Sequence, residues 1–186
     1  MLIKTLLTFA SAVALTACVS QGTYDREHEL NEELQTKVSS DQVQIQELKD
    51  RLRVTVEDQT LYPSGSADLS KSGKGILDKI VPTLKDATDY RIEVEGFTDD
   101  RPIGKGLQGK YKSNWELSAA RAAVVVEYLQ KKGIDPSRMT LAGHGQYAPS
   151  GDNKTAEGRA QNRHTNIDLI KIDNNNDQKS GSTAQK

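Results

Sequence analysis

Cys18 is the only cysteine in a chain of 186 residues. One thiol can close no internal disulfide, so its chemistry is that of a nucleophile. The remaining candidates for chemistry are sparse. Of the three histidines, His28 stands far from His144 and His164, and no metal-ligand spacing joins the other two. Serine, histidine and aspartate all occur, but none falls in a nucleophile-elbow sequence. Gly104, Gly106 and Gly109 do not follow a strand and open a helix in the spacing that cradles phosphates. Twenty-five basic against 26 acidic residues leave a net charge of −1, so no basic field exists to hold nucleic acid. No catalytic residue, metal or cofactor is therefore expected, and the chain is not expected to be an enzyme.

The surroundings of Cys18 point to modification. Lys4 precedes a short apolar run from Thr5 to Leu15. That run is shorter than the roughly 20 residues of a permanent membrane helix and suits a secretory leader over 1–17. It ends in Leu15-Thr16-Ala17-Cys18, which resembles the lipobox of bacterial lipoproteins. The resemblance implies that the Cys18 thiol receives a lipid. Acylation would also remove a thiol that is a liability in an oxidising compartment. Several acyl chains give stable anchoring where one is marginal. Val19 replaces the aspartate common in lipoproteins kept at the inner membrane, which implies the outer membrane, facing the periplasm.

Residues 18–55 read as an acylated N-terminus followed by a helical stem. The stretch is polar, without proline, and without glycine after Gly22. Asn31, Leu34, Val38, Asp41, Ile45, Leu48 and Leu52 fall on alternating three- and four-residue steps, an imperfect heptad seam. A helix over 28–53 would be roughly 39 Å long. Two readings stay open: self-association through the seam, or a helix that frays or packs on its own domain. Asp41 within the seam and the small number of heptads weaken the coil.

From about Val54 the texture is that of an α/β domain, spanning 56–173. Val54 to Tyr62 reads as a strand pair or one irregular strand. Ser70 caps a helix to about Ala87, with Ile76, Leu77, Ile80, Val81 and Leu84 on its buried face and Pro82 kinking or restarting it. Arg91 to Glu95 alternates as a half-buried strand ending at Gly96 and Phe97. A loop over 98–112 leads to Ser113-Asn114-Trp115-Glu116, a capping box. The helix that follows stops at Gly133, with Leu117, Ala120, Val124 and Tyr128 as its core stripe. Strands are expected at Met139–Ala142 and His164–Ile172. The order β-α-β-α-β-β implies an α+β sandwich: a mixed sheet with helices on one face. Residues 174–186 have nothing to bury and should be disordered.

Several segments of this domain resemble one family, the OmpA-like peptidoglycan-associating domain of the OmpA/MotB C-terminal type. Gly96-Phe97-Thr98-Asp99 resembles its G-h-T-D strand exit, and Asn114 to Ala122 its N-x-x-L-S-x-x-R-A helix start. Gly143-His144-Gly145, Pro149, Asn153 and Gly158-Arg159-Ala160-Gln161-Asn162-Arg163 follow in the family's order. Leu61 to Leu69 resembles the first-strand exit. The Asp99-Asp100-Arg101-Pro102-Ile103 loop and Ser113 to Ser118 are similar to the version in the flagellar stator protein MotB. The resemblance covers roughly 60–172. His164 replaces a second arginine that the family often has after Asn-Arg.

The resemblance implies binding of the free end of meso-diaminopimelate in the peptidoglycan stem peptide, with Asp99 and Arg121 as the grip. That end carries one ammonium and one carboxylate. A zwitterion needs an anion and a cation held a few ångströms apart. Arg121 lies two turns into its helix, and helical side chains lean toward the N-terminus, where the loop carrying Asp99 arrives. Arginine can give a carboxylate two parallel hydrogen bonds. The bland alternatives are that Asp99 caps a turn and that Arg121 pairs with Glu116 or Glu95. Asn114 either fixes the loop or touches ligand. Thr98 stands beside Asp99, and Arg163 either ties the last turn to the loops, as Arg159 does, or lines the site. The implied partners are peptidoglycan and, through lipid, the outer membrane. A second reading is an envelope regulatory or motor-accessory protein whose stem and 98–112 loop recruit a protein partner.

Overall fold

The computed structural model describes residues 14–38, 42–49 and 51–172. Helix α1 (Ala14–Val38) is followed by strands β1 (Val43–Leu48) and β2 (Arg51–Glu57) and the short helix α2 (Asp58–Leu61). Then come α3 (Lys71–Asp86), β3 (Tyr90–Phe97), α4 (Asn114–Lys131), a 3-10 turn at Pro136–Arg138, β4 (Met139–Gly145), α5 (Ala156–Asn162) and β5 (His164–Lys171). The five strands form one sheet in the order β1-β2-β5-β3-β4. Only β3 and β4 run parallel; the other pairs are antiparallel. The expected α+β fold with a mixed sheet is the fold found.

Alternation builds the core. Leu52, Val54 and Val56 of β2, Ile92 and Val94 of β3, and Ile167 and Leu169 of β5 point to one face and are fully buried. Leu77, Ile80 and Leu84 of α3 and Ala122, Val125 and Leu129 of α4 cover them in a single cluster. The opposite face is polar. Asp168 sits there between two arginines, with Arg53 Nε 2.8 Å from its Oδ1 and Arg51 Nη1 2.9 Å from its Oδ2. Arg53 reaches on to Glu95 at 2.9 Å, and His144 Nε2 lies 3.0 Å from the same carboxylate.

The helices begin where the caps predict. Ser70 Oγ accepts the amide of Gly73 at 2.8 Å, and Ser113 Oγ that of Glu116 at 3.3 Å. Helix α4 ends before Gly133, whose φ of +91° is the left-handed conformation glycine adopts freely. Pro82 lies inside α3 without ending it. The stripe that α4 buries is Ser118, Ala122, Val125 and Leu129 beside Leu117. Ala120, Val124 and Tyr128 are only partly buried. The expected stripe was therefore rotated around the helix, because alanine and valine occupy both flanks and periodicity alone could not choose between them.

The helical stem over 28–53 is overturned beyond Val38. Residues 43–48 and 51–57 form an antiparallel strand pair that supplies the edge and second strands of the sheet. Gln42-Val43-Gln44-Ile45-Gln46 and Arg51-Leu52-Arg53-Val54-Thr55-Val56 alternate strictly, a period of two. Ile45, Leu48 and Leu52 happen also to fit the heptad spacing, which over so short a stretch is not diagnostic. Leu30, Leu34 and Val38 are buried in the protein's own core, where α1 packs against α3. Lys37 and Glu33 both hydrogen-bond the Thr83 hydroxyl across that contact, at 3.1 and 3.0 Å. Leu34, Val38 and Leu52 of the seam are thus buried within the chain's own core while Leu48 stays exposed, which matches the second of the two stem readings, packing on its own domain. Residues 1–13, most of the expected leader, and the expected disordered tail lie outside the described residues; Cys18 falls within the backbone of α1.

Candidate functional site

Two glycines bring the site's elements together. Gly96 of β3 and Gly143 of β4 are register partners across the parallel ladder. A Cβ on Gly96 would run into the carbonyl oxygen of Ser118, and one on Gly143 would lie 2.5 Å from the Ala119 nitrogen. The pair forms a bare seat into which the second turn of α4 settles. Strand β3 then exits at Phe97, and Thr98 is tied to β4 through its amide, 2.9 Å from the Gly145 carbonyl. Asp99 follows at once. Arg121 stands one turn beyond the seat on α4.

Four charged residues meet at this end of the sheet. The buried Asp99 does not pair with Arg121. Its Oδ2 accepts a hydrogen bond from Arg163 Nη1 at 2.6 Å, and its Oδ1 accepts the amide of Arg101 at 3.2 Å. Arg121 pairs through Nη1 with Asp58. Its Nε and Nη2 donate to the Ser66 carbonyl at 3.3 and 3.1 Å. The two ion pairs are joined, because the Asp58 amide donates to the Arg163 carbonyl at 3.1 Å. Asp58 lies in the field of Arg121, Arg163 and Asp99 together. Neither Glu116 nor Glu95 is the partner of Arg121: Glu116 accepts the Lys112 amide, and Glu95 faces Arg53 and His144. The turn-capping reading of Asp99 holds for its Oδ1 alone.

Asp58 was missed by sequence reasoning. It is wholly buried, and burial pushes its carboxyl up to about 6, against the pull of Arg121. Its Oδ1 has no hydrogen-bond partner among the described residues, and neither has the buried hydroxyl of Thr98. A buried polar atom without a partner is costly and marks a place where a ligand or water can bind. Tyr62 fixes the cation: its ring lies 4.9 Å beneath the Arg121 guanidinium, and its hydroxyl donates to the Arg121 carbonyl at 3.0 Å. The same burial pushes the Tyr62 phenol up.

Side chains around the cluster brace the neighbouring loops. Asn114 donates to the carbonyls of Asp99 and Arg101 at 3.3 and 3.0 Å and to Gln146 at 2.8 Å, so it fixes the loop. Arg159 holds the Asn153 carbonyl at 2.6 Å. Asn162 clamps the 150–153 turn through both its amide atoms. The 98–112 loop is not a bare rim, since Leu107 is buried with Ala67 and Leu117, and Ile103 and Tyr111 pack against them. A separate groove of about 420 Å³ lies on the polar face of the sheet, among Gln44, Gln46, Arg53, His164 and Asn166. It contains none of the expected grip residues.

Two carboxylates and two guanidiniums in alternation sum to no net charge. Such a cluster can exchange internal partners for a ligand that carries one charge of each sign. Arg163, with 36% of its side chain exposed, is the outermost of the four; the Asp99 and Arg121 side chains are 10% and 11% exposed.

Known proteins are similar to this chain. Motility protein B of Bacillus subtilis is 29% identical over 146 residues, 78% of this chain and 51% of that protein. Probable lipoprotein YiaD of Escherichia coli is 31% identical over 136 residues, 73% of this chain and 59% of the relative. The chain thus spans about half to three-fifths of the length of these curated relatives. Among solved structures, the cell wall anchor of the T6SS from Pseudomonas aeruginosa superposes with a TM-score of 0.69 at 32% identity, over 77% of this chain and 97% of that one. Residues 61–163, more than half of the chain and the stretch that carries Asp99, Arg121 and Arg163, match the OmpA family, and the chain belongs to that family.

Proposed function

We propose that this protein binds peptidoglycan non-covalently, without catalysis, by gripping the free zwitterionic end of meso-diaminopimelate in the stem peptide. The observation that carries the reading is the neutral four-charge cluster of Asp58, Asp99, Arg121 and Arg163. The ligand carboxylate takes hydrogen bonds from Arg121, and its ammonium approaches Asp99. The unpartnered Thr98 hydroxyl lies beside Asp99. Arg163 releases Asp99 in part, and Asn114 keeps the loop in place. A likeness to a solved cell wall anchor supports the same reading. Each charge-assisted bond contributes about 1.5–3 kcal/mol, so one site binds weakly, on the order of micromolar to millimolar. Many stem peptides on one polymer offset that weakness by avidity.

The test is retention on intact, insoluble peptidoglycan. The wild-type protein is expected to sediment with it. Asp99→Ala is expected to stay in the supernatant, with a loss of at least tenfold in affinity. Sedimentation of Asp99→Ala at the wild-type level removes the grip from Asp99.

The second half of the proposal is the anchor. The lipobox-like Leu15-Thr16-Ala17-Cys18 and the likeness to a probable lipoprotein support acylation at Cys18, and Val19 after the cysteine supports an outer-membrane location facing the periplasm. The protein then tethers that membrane to the wall. Among the described residues no helix is long and apolar enough to cross a membrane. Cys18→Ser is expected to leave the membrane fraction and lose labelling by palmitate. Unchanged labelling of that variant would defeat the anchor, though not the wall-binding site.

A further inference from the structure

Trp115 and Tyr147 are two of the largest exposed apolar side chains among the described residues, at 49% and 64% exposure. They stack on one another, with ring centroids 5.0 Å apart and planes inclined by 20°. Trp115 lies in the first turn of α4 and Tyr147 in the turn after β4, whose amide donates to the His144 carbonyl at 3.3 Å. Stacking fixes each ring while about half of Trp115 and more of Tyr147 stay exposed. Burial does not explain the pair, since neither ring enters either apolar cluster.

Their place in the chain ties them to the charge cluster. Asn114, the residue before Trp115, holds the Asp99 carbonyl; Gln146, the residue before Tyr147, accepts from the same Asn114 amide. The platform is therefore built on the two side chains that brace the grip loop. We propose that Trp115 and Tyr147 form a stacking platform for a pyranose ring of the wall's glycan strand, beside the site that takes the stem peptide. This inference rests on the proposed wall-binding reading and adds the sugar to it. A pyranose presents an apolar C–H face with a polar rim, and flat aromatic rings next to amides match both. Two residues, about 7 Å of extended chain, and the side chain of diaminopimelate itself separate the gripped end from the sugar, so the two parts of the ligand need neighbouring and not identical seats. Two rings alone make far too small a patch for a stable protein interface, which needs about 800 Å² on each partner.

The test uses the full chain, in which Trp115 is the only tryptophan, so its emission reports on the platform directly. A soluble N-acetylglucosamine oligomer without peptide is expected to shift or quench that emission. By calorimetry, a disaccharide-peptide ending in diaminopimelate is expected to bind about five- to tenfold more tightly than the same peptide without sugar. Trp115→Ala and Tyr147→Ala should erase that difference and leave binding of the sugar-free peptide unchanged, while Tyr147→Phe should retain it. Equal wild-type affinity for the two ligands overturns the platform. So does joint loss of both ligands in the alanine variants, which would mean a bracing role, or a concentration-dependent dimer that Trp115→Ala abolishes. If the wild type ignores the sugar-free peptide but the oligomer still perturbs Trp115, the platform stands and the stem-peptide site falls.

Discussion

Arg121→Ala is expected to release the protein from the wall and to cost about 3–5 kcal/mol of folding stability at neutral pH. The guanidinium it removes is the cation paired with Asp58, a carboxylate buried from solvent. Without it, Asp58 must either stay charged in an apolar setting or take up a proton. Already in the wild type the Asp58 carboxyl sits at about 6, above its ordinary value of 3.8, so the folded state holds the proton more tightly than the unfolded chain. The contribution of this group to stability is therefore largest below about pH 4 and falls as pH rises to about 6. Loss of Arg121 raises the carboxyl further and extends the falling window upward. The deficit of Arg121→Ala should thus be small at pH 5 and large at pH 8, as read from urea unfolding at both values. A deficit independent of pH would mean that Asp58 is not the group left stranded. Combining Arg121→Met with Asp58→Asn replaces the ion pair by neutral groups of similar size. That double variant should recover most of the stability and none of the wall binding, which separates the structural duty of Arg121 from its proposed ligand duty.

Gly96→Ala is expected to have the second large effect, by a different route. The added methyl overlaps the carbonyl oxygen of Ser118, and its nearest neighbours are backbone atoms that cannot rotate away. The helix must lift from the sheet, at a cost of about 1–3 kcal/mol or more. Lifting α4 carries Arg121 away from the strand exit that presents Asp99, so wall retention should fall together with the midpoint of thermal unfolding. Gly106→Ala is the control, since a methyl there meets nothing within 4 Å, and it should leave both quantities unchanged. An unaltered Gly96→Ala protein would mean that the glycine seat does not position the helix.

Helix caps and stops are legible in the chain because one residue's own chemistry decides them. Ser70 and Ser113 cap helices because a hydroxyl satisfies a free amide three residues on, and Gly133 ends α4 because only glycine enters a left-handed turn without strain. The strand pair over 43–48 and 51–57 was legible in its strict alternation and was lost to a competing heptad pattern. Asp58 had no comparable signal. It is one acidic residue after Glu57 at the end of a strand, and nothing beside it in the chain announces a buried ion pair.

By its own local pattern, then, the sequence determined the helix caps, the alternating strands and the set of charged residues from which the site is drawn. The choice of which anion meets which cation belonged to the tertiary structure. Asp58 and Arg121 are 63 residues apart and Asp99 and Arg163 are 64 apart, in elements that the folded sheet brings to one end. Long flexible side chains can reach several opposite charges from one position. The pairing is set by which strands lie side by side and by how closely two glycines let α4 approach, and both are properties of the assembled sheet.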